Sequence, residues 1–182
     1  MTRAFIAIRP PEAVLDAIEA RLELVAVGNG RRARRDQWHL TVQFLGDDAE
    51  MSAVAGAFAA EPLDHGAGQL QLGGGDALGN ARRARILALR LHEGERWTQE
   101  LSVQVERRLI ALGHLRDPRD VAFVPHLTLA RYRTSTDLRT VCAAVGPDPV
   151  GPAWRVEEVV LFESELRSEG VRHIVSARFP TQ

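Results

Sequence analysis

The chain has 182 residues, 45% of them hydrophobic and 26% charged, with a formal net charge of −1. These are the proportions of an ordinary soluble globular protein, and no global field draws it to nucleic acid or membrane; any such attraction must be local. All 23 basic residues are arginine, which excludes the lysine of a Walker A loop or a kinase, a Schiff-base mechanism and a ligase working through a lysyl-adenylate.

In chain order, the opening "MTRAFIAIRPPE" carries too short an apolar run for a signal peptide; its Phe5, Ile6 and Ile8 predict a strand over 4–9. "PPEAVLDAIEARLELVAV" starts on prolines suited to a first helical turn, and Val14, Leu15, Ile18, Leu22 and Val25 form a helical stripe. A strand follows over 38–45, then a short helix in "EMSAVAGAFAAE" that Pro62 ends, then a strand over 69–73. The glycine-rich "GGGDALGN" at 73–80 reads as a linker: no lysine and no clean helix start follow it, so it is not a phosphate cradle. A strand over 84–91 leads into "EGERWTQELSVQVERRLIALG", whose Trp97, Leu101, Val105, Leu109 and Leu112 keep helical register until Gly113. A strand over 123–132 precedes "STDLRTVCAAV", a helix capped at Ser135 or Thr136. Cys142, the single cysteine, allows no internal disulfide and fits a reducing cytosol. "GPDPVGP" at 146–152 reads as a second linker, before strands over 154–163 and 171–179.

Residues 4–73 and 84–163 thus read as two copies of strand–helix–strand–helix–strand, a repeat of about 80 residues. The final strand at 171–179 closes the chain. We expect one α+β domain over 1–182 with two pseudo-symmetric lobes, each a mainly antiparallel sheet with outer helices, facing across a central groove.

The middle strand of each copy carries the same three letters, His39-Leu40-Thr41 and His126-Leu127-Thr128. Strand alternation puts Trp38, Leu40, Val42 and Phe44 on one, apolar face and His39 with Thr41 on the other. Two imidazoles suit acid–base chemistry, since a pKa near 6.5 lets one be neutral and the other charged. A threonine two residues on lies about 7 Å along the same face, where its hydroxyl can donate to a developing oxyanion. No metal or other cofactor is required.

With "RAFIAI", "WHLTVQFLGD", "FVPHLTLARYR", "LFESEL" and "RFP", nearly the whole chain resembles the 2H phosphoesterases, and within them the RNA 2′,3′-cyclic phosphodiesterases, historically called 2′-5′ RNA ligases. The resemblance implies a cytoplasmic, monomeric hydrolase that opens RNA 2′,3′-cyclic phosphate ends to 2′-phosphates, with His39, His126, Thr41 and Thr128 catalytic. It also implies that Arg131 binds the phosphate and Phe44 lies against the nucleobase. Strict alternation turns both away from the groove, so a bulge is required. By analogy His39 is the acid on the leaving 3′-oxygen and His126 the water-activating base, although the pseudo-symmetry of the sequence leaves the two alike.

His65, His92, His114 and His173 lack a partner pattern and read as structural or solvated, Trp97 and Trp154 as core. Tyr132 ends the second motif strand, where it can edge the groove. "RRARR" at 31–35 and "RRAR" at 82–85 are either RNA backbone contacts or solvated loops. Competing functions are a 2H phosphoesterase acting on a small cyclic or 2′-5′-linked nucleotide or on ADP-ribose cyclic phosphate, a non-catalytic RNA-binding module, and a metallohydrolase. The last lacks clustered ligands in the sequence.

Overall fold

The computed structural model describes residues 3–46, 50–115, 123–167 and 170–181. In chain order the elements are β1 (Arg3–Ile8), α1 (Glu12–Glu23), β2 (Arg31–Arg32), β3 (Leu40–Gly46), α2 (Met51–Ala60), β4 (Gly68–Ala77), β5 (Ala84–Glu93), α3 (Glu95–Ala111), β6 (His126–Thr136), α4 (Arg139–Val145), β7 (Val150–Val156), β8 (Glu158–Arg167) and β9 (Gly170–Pro180). The fold is α+β. The strands form one antiparallel sheet in the order β7-β4-β5-β6-β3-β1-β8-β9, with β2 alongside β6.

The expected strand at 154–163 is in fact two strands at distant places in that order. β7 is an edge strand, which tolerates Pro152, whereas β8 lies between β1 and β9. Glu157 alone separates them. Neighbouring Cα atoms are about 3.8 Å apart, so the sheet must curl until its far strands approach. Thr181 ties this junction, its amide donating to the Glu157 carbonyl at 2.8 Å and its hydroxyl to that of Val156 at 3.3 Å.

The two similar stretches interlock. β4 pairs with β5, and β8 with β1, so each half of the sheet takes its third strand from the other stretch. The halves meet where β3 touches β6, and among the described residues that contact has one paired position, Leu40 with Leu127. Both leucines are fully buried.

The helical stripe of α1 buries Val14, Leu15, Ile18 and Leu22 as its periodicity predicts. In α3, Leu101, Val105 and Leu109 are buried, but Leu112 lies beyond the last turn and is exposed. The fourth helix starts later than its sequence suggests, because β6 continues to Thr136. Leu138 stands at the N-cap without a side-chain capping bond, and Asp137 before it accepts from the Arg139 amide at 3.1 Å.

The first glycine-rich segment is strand up to Ala77, and the second, which joins α4 to β7, packs against it. β4 runs through Gly73, Gly74 and Gly75, and the Gly75 amide donates to the Gly146 carbonyl at 2.9 Å. A Cβ at Gly74 would stand 2.5 Å from that carbonyl oxygen and 2.6 Å from Pro147 Cα. Glycine is there because two backbones touch.

Gly74→Ala should therefore lower stability by about 1–3 kcal/mol, as overpacking does. Gly56→Ala, on the exposed face of α2 with nothing within 4 Å of the new Cβ, should raise it by about 0.5–1 kcal/mol. Urea unfolding of the two variants checks both signs.

Candidate functional site: a two-histidine groove

The register at Leu40–Leu127 places the motif residues. Stepping outward in opposite directions along antiparallel strands sets His39 across from Thr128 and Thr41 across from His126. In register each histidine thus lies across from the other motif's threonine, on the side of the sheet opposite the buried leucines.

Matched slips in register bring in two further residues. On β1, Ala7 and Ile6 pair with Thr41 and Gln43, so Val42 is an extra residue on β3. On β5, Ala88 and Leu87 pair with Thr128 and Ala130, so Leu129 is the extra residue on β6. The carbonyls at these bulges find partners outside the ladder. The Ser102 hydroxyl of α3 donates to Val42 at 2.9 Å, and the Ala33 amide to Leu129 at 2.8 Å. After its bulge Leu129 and Ala130 are both buried and Arg131 is exposed, on the face of His126 and Thr128.

Phe44 departs from the simple alternation, which put it in the core with Trp38, Leu40 and Val42. It is 61% exposed, and Leu45 is buried in its place. A second slip, between Ala4 and Phe5, pairs Phe44 with Phe5. Their rings lie 6.0 Å apart, and the Phe5 ring stacks on His39 at 4.7 Å. Phe44 therefore belongs to the His39 side of the sheet.

Both motif imidazoles are desolvated. Burial pushes the His39 pKa down to about 3, helped by the charge of His173, opposed in part by a hydrogen bond to the Gln37 backbone, and helped to a lesser degree by Arg131 and His126. Burial likewise lowers that of His126, opposed by its own backbone hydrogen bond. His126 Nδ1 lies 2.8 Å from the Val124 carbonyl. A carbonyl only accepts, so Nδ1 carries the proton and Nε2 of the neutral ring is a bare acceptor.

Sequence reasoning missed His173, classed there as structural or solvated. It lies on β9 next to His39, ring centroids 5.1 Å apart and edge-to-face, with Phe5 at 5.0 Å. Ser164 Oγ, 2.8 Å from its Nδ1, holds the ring. Its own pKa is lowered by burial, and Arg34 and Arg131 lower it further while Asp36 raises it. Nothing local marks it out, since it is 134 residues from His39 and has no threonine two positions on. Arg131 opposes protonation of all three rings.

Other candidates fall elsewhere. Arg35 is held by Glu12, Asp16 and Glu19 of α1 at 2.7, 2.6 and 3.0 Å. Arg34 pairs with Asp36 at 2.9 Å, and Arg32 donates to the Val25 carbonyl at 2.5 Å. Three of the four arginines at 31–35 are thus tied within the fold. Tyr132 is buried and donates to the Val27 carbonyl at 2.9 Å, so it does not edge the groove. His65 sits 2.8 Å from the Trp97 carbonyl and packs on that ring, away from the motifs. Trp154 is buried and Trp97 partly so. Among the described residues, no three His, Cys, Asp or Glu side chains gather so as to hold a metal ion. No helix there is long and apolar enough to cross a membrane.

Residues 9–167 match the model of the 2′-5′ RNA ligase superfamily, and the chain belongs to that family. Solved structures agree in fold. TT0787 of Thermus thermophilus is 27% identical, with a TM-score of 0.75 over 98% of this chain and 97% of its own. E. coli LigT in its apo form is 24% identical, with a TM-score of 0.77 over 100% and 98%. In its 3′-AMP complex the figures are 25%, 0.73, and again 100% and 98%. Among curated proteins none matches the chain.

The histidines make stability depend on pH with a definite sign. In the unfolded chain they bind protons below about pH 6.5, whereas the folded groove resists protonation, His39 down to about 3. The unfolded state therefore binds more protons in that window. Stability is complete above it and declines as pH falls through it. His39→Gln should flatten the decline by at most about 1.4 kcal/mol per pH unit. Urea midpoints of both proteins measured from about pH 4 to 8 test this; parallel curves would mean that His39 is not desolvated.

Proposed function

We propose that the chain is a metal-independent RNA 2′,3′-cyclic phosphodiesterase that leaves a 2′-phosphate. The observation that carries this reading is the crossed arrangement of the motifs, each imidazole opposite the other's threonine, with Arg131 turned to the same face by its bulge. A cyclic phosphate seated there meets hydroxyls from two sides and a guanidinium beside it. Phosphoryl chemistry needs positioned donors for the equatorial oxygens and proton transfer at the entering and leaving oxygens.

Bare Nε2 of His126 takes a proton from water as its oxygen bonds to phosphorus. The bond from phosphorus to the ribose 3′-oxygen breaks, and His39 gives that oxygen its proton. Thr41, Thr128 and Arg131 bear the charge on the non-bridging oxygens, and Phe44 offers its exposed ring to the base. The resting groove keeps His39 neutral, so its proton arrives with the substrate: the phosphate anion offsets Arg131 and favours imidazolium. That E. coli LigT, a structure similar to this chain, was crystallised with 3′-AMP supports a nucleotide as ligand. A small cyclic nucleotide is the second reading, favoured by the internal pairing of Arg32, Arg34 and Arg35.

His39→Ala and His126→Ala should each lower turnover about 100-fold or more. Thr41→Val or Thr128→Val should cost roughly 3 kcal/mol of transition-state stabilisation, and Arg131→Ala should raise KM. The assay is hydrolysis of cyclic-ended RNAs and 2′,3′-cyclic mononucleotides in EDTA, with products assigned by phosphorus NMR. Wild-type-like rates in the folded histidine variants would end the two-histidine reading. A rate lost in EDTA and restored by a divalent ion would end the metal-independent one.

Binding of a nucleoside 2′-monophosphate near pH 7 should take up a proton in the wild type and less in His39→Gln. Titration calorimetry in buffers of different ionisation enthalpy reads the number directly. Equal uptake by both proteins would place the proton on another group.

A further inference from the structure

The arginine run leaves one member unpaired. Arg31 and Arg131 are cross-strand partners between β2 and β6, and such partners project to the same face with Cβ atoms about 4.5–5.5 Å apart. The other pair of this short ladder fixes which face that is. Ala130 is fully buried, so the Arg32–Ala130 pair lies on the inner side of the ladder, where the otherwise exposed Arg32 turns its guanidinium to the Val25 carbonyl. Arg31 and Arg131 therefore point out, on the face that carries His126 and Thr128.

β2 occupies a particular place. β3 leaves β6 after the single pair at Leu40–Leu127, and β2 takes up pairing with β6 three residues on, at Ala130 and Arg131. Arg31 thus stands between the two halves, just beyond the proposed phosphate site. Among the described residues neither the Arg31 nor the Arg131 side chain has a hydrogen bond or an acidic partner, whereas Arg34 and Arg35 nearby are bound to carboxylates. Like charges directly opposite one another on a sheet are unfavourable. An anion between or beside them reverses the sign.

We propose that Arg31 is the subsite for a second phosphate, the 5′-phosphodiester of the nucleotide that carries the cyclic end. The inference rests on the reading above and narrows its substrate class to polynucleotide ends, as against free cyclic mononucleotides. Arg131 holds the reacting phosphate, and Arg31 takes the next one along the strand. A charge-assisted contact of this kind is worth about tenfold in affinity, and it weakens with salt.

Three substrates with one base separate the contributions: 2′,3′-cyclic AMP, the same nucleotide bearing a 5′-phosphate, and the cyclic-ended dinucleotide ApA. The wild type should favour the second and third over the first about tenfold in kcat/KM, and the preference should shrink as salt rises. Arg31→Gln should bring that ratio to about one, with a melting temperature like that of the wild type. A wild type that treats the first two substrates alike overturns the proposal. So does an Arg31→Gln variant that loses activity in equal proportion on all three, since Arg31 would then serve the reacting phosphate or the fold. If the wild type hydrolyses none of the three, the phosphodiesterase reading itself falls, a result distinct from either.

Discussion

The groove depends on how little β3 and β6 share. They touch at Leu40 and Leu127 and then part. Two fully buried leucines provide the apolar contact, and antiparallel geometry dictates that the residues beside them cross over, histidine to threonine. Had the strands stayed paired along their length, the sheet would be continuous there, with no gap for β2 to enter and no place for Arg31 beside Arg131. Connectivity enforces the parting. β7 and β8 belong to opposite halves of the sheet with a single residue between them, which leaves a flat arrangement unavailable.

The bulges convert this framework into a site. An extra residue changes which side chains face the groove, but it leaves a carbonyl without its ladder partner, and a buried carbonyl needs one. Ser102 meets that need for Val42 and the Ala33 amide for Leu129. The second repeat's helix therefore braces the first repeat's strand, and the segment carrying the arginine run braces the second strand. Such support from distant segments keeps Arg131 and Phe44 where strict alternation would not put them.

Charge is divided between the framework and the site. Of the arginines beside the first motif, three are held by carboxylates or carbonyls and orient the turn before His39. The fourth is left beside Arg131. In the groove itself desolvation and the positive charge of Arg131 both discourage imidazolium.

Much of this was legible in the chain. Periodicity over a few residues marked the strands and helices, and the recurrence of His-x-Thr in matched strands identified the pair of groups that the fold brings together. The need for a bulge before Arg131 and Phe44 followed from strict alternation set against the roles that the family resemblance implies. What sequence could not reveal were relations between residues far apart in number. His173 reaches His39 only because β9 folds back beside β8, and no spacing rule connects them. Gly74 and Gly75 look like a linker until Gly146 is seen against them. Arg35 looks like an RNA contact until α1 supplies three carboxylates. Local pattern determines which backbone geometry a segment adopts and which of its faces is apolar. Which other segment covers that face, and which charges are neutralised there, is decided by chain connectivity and close packing, and these exist only in the folded molecule.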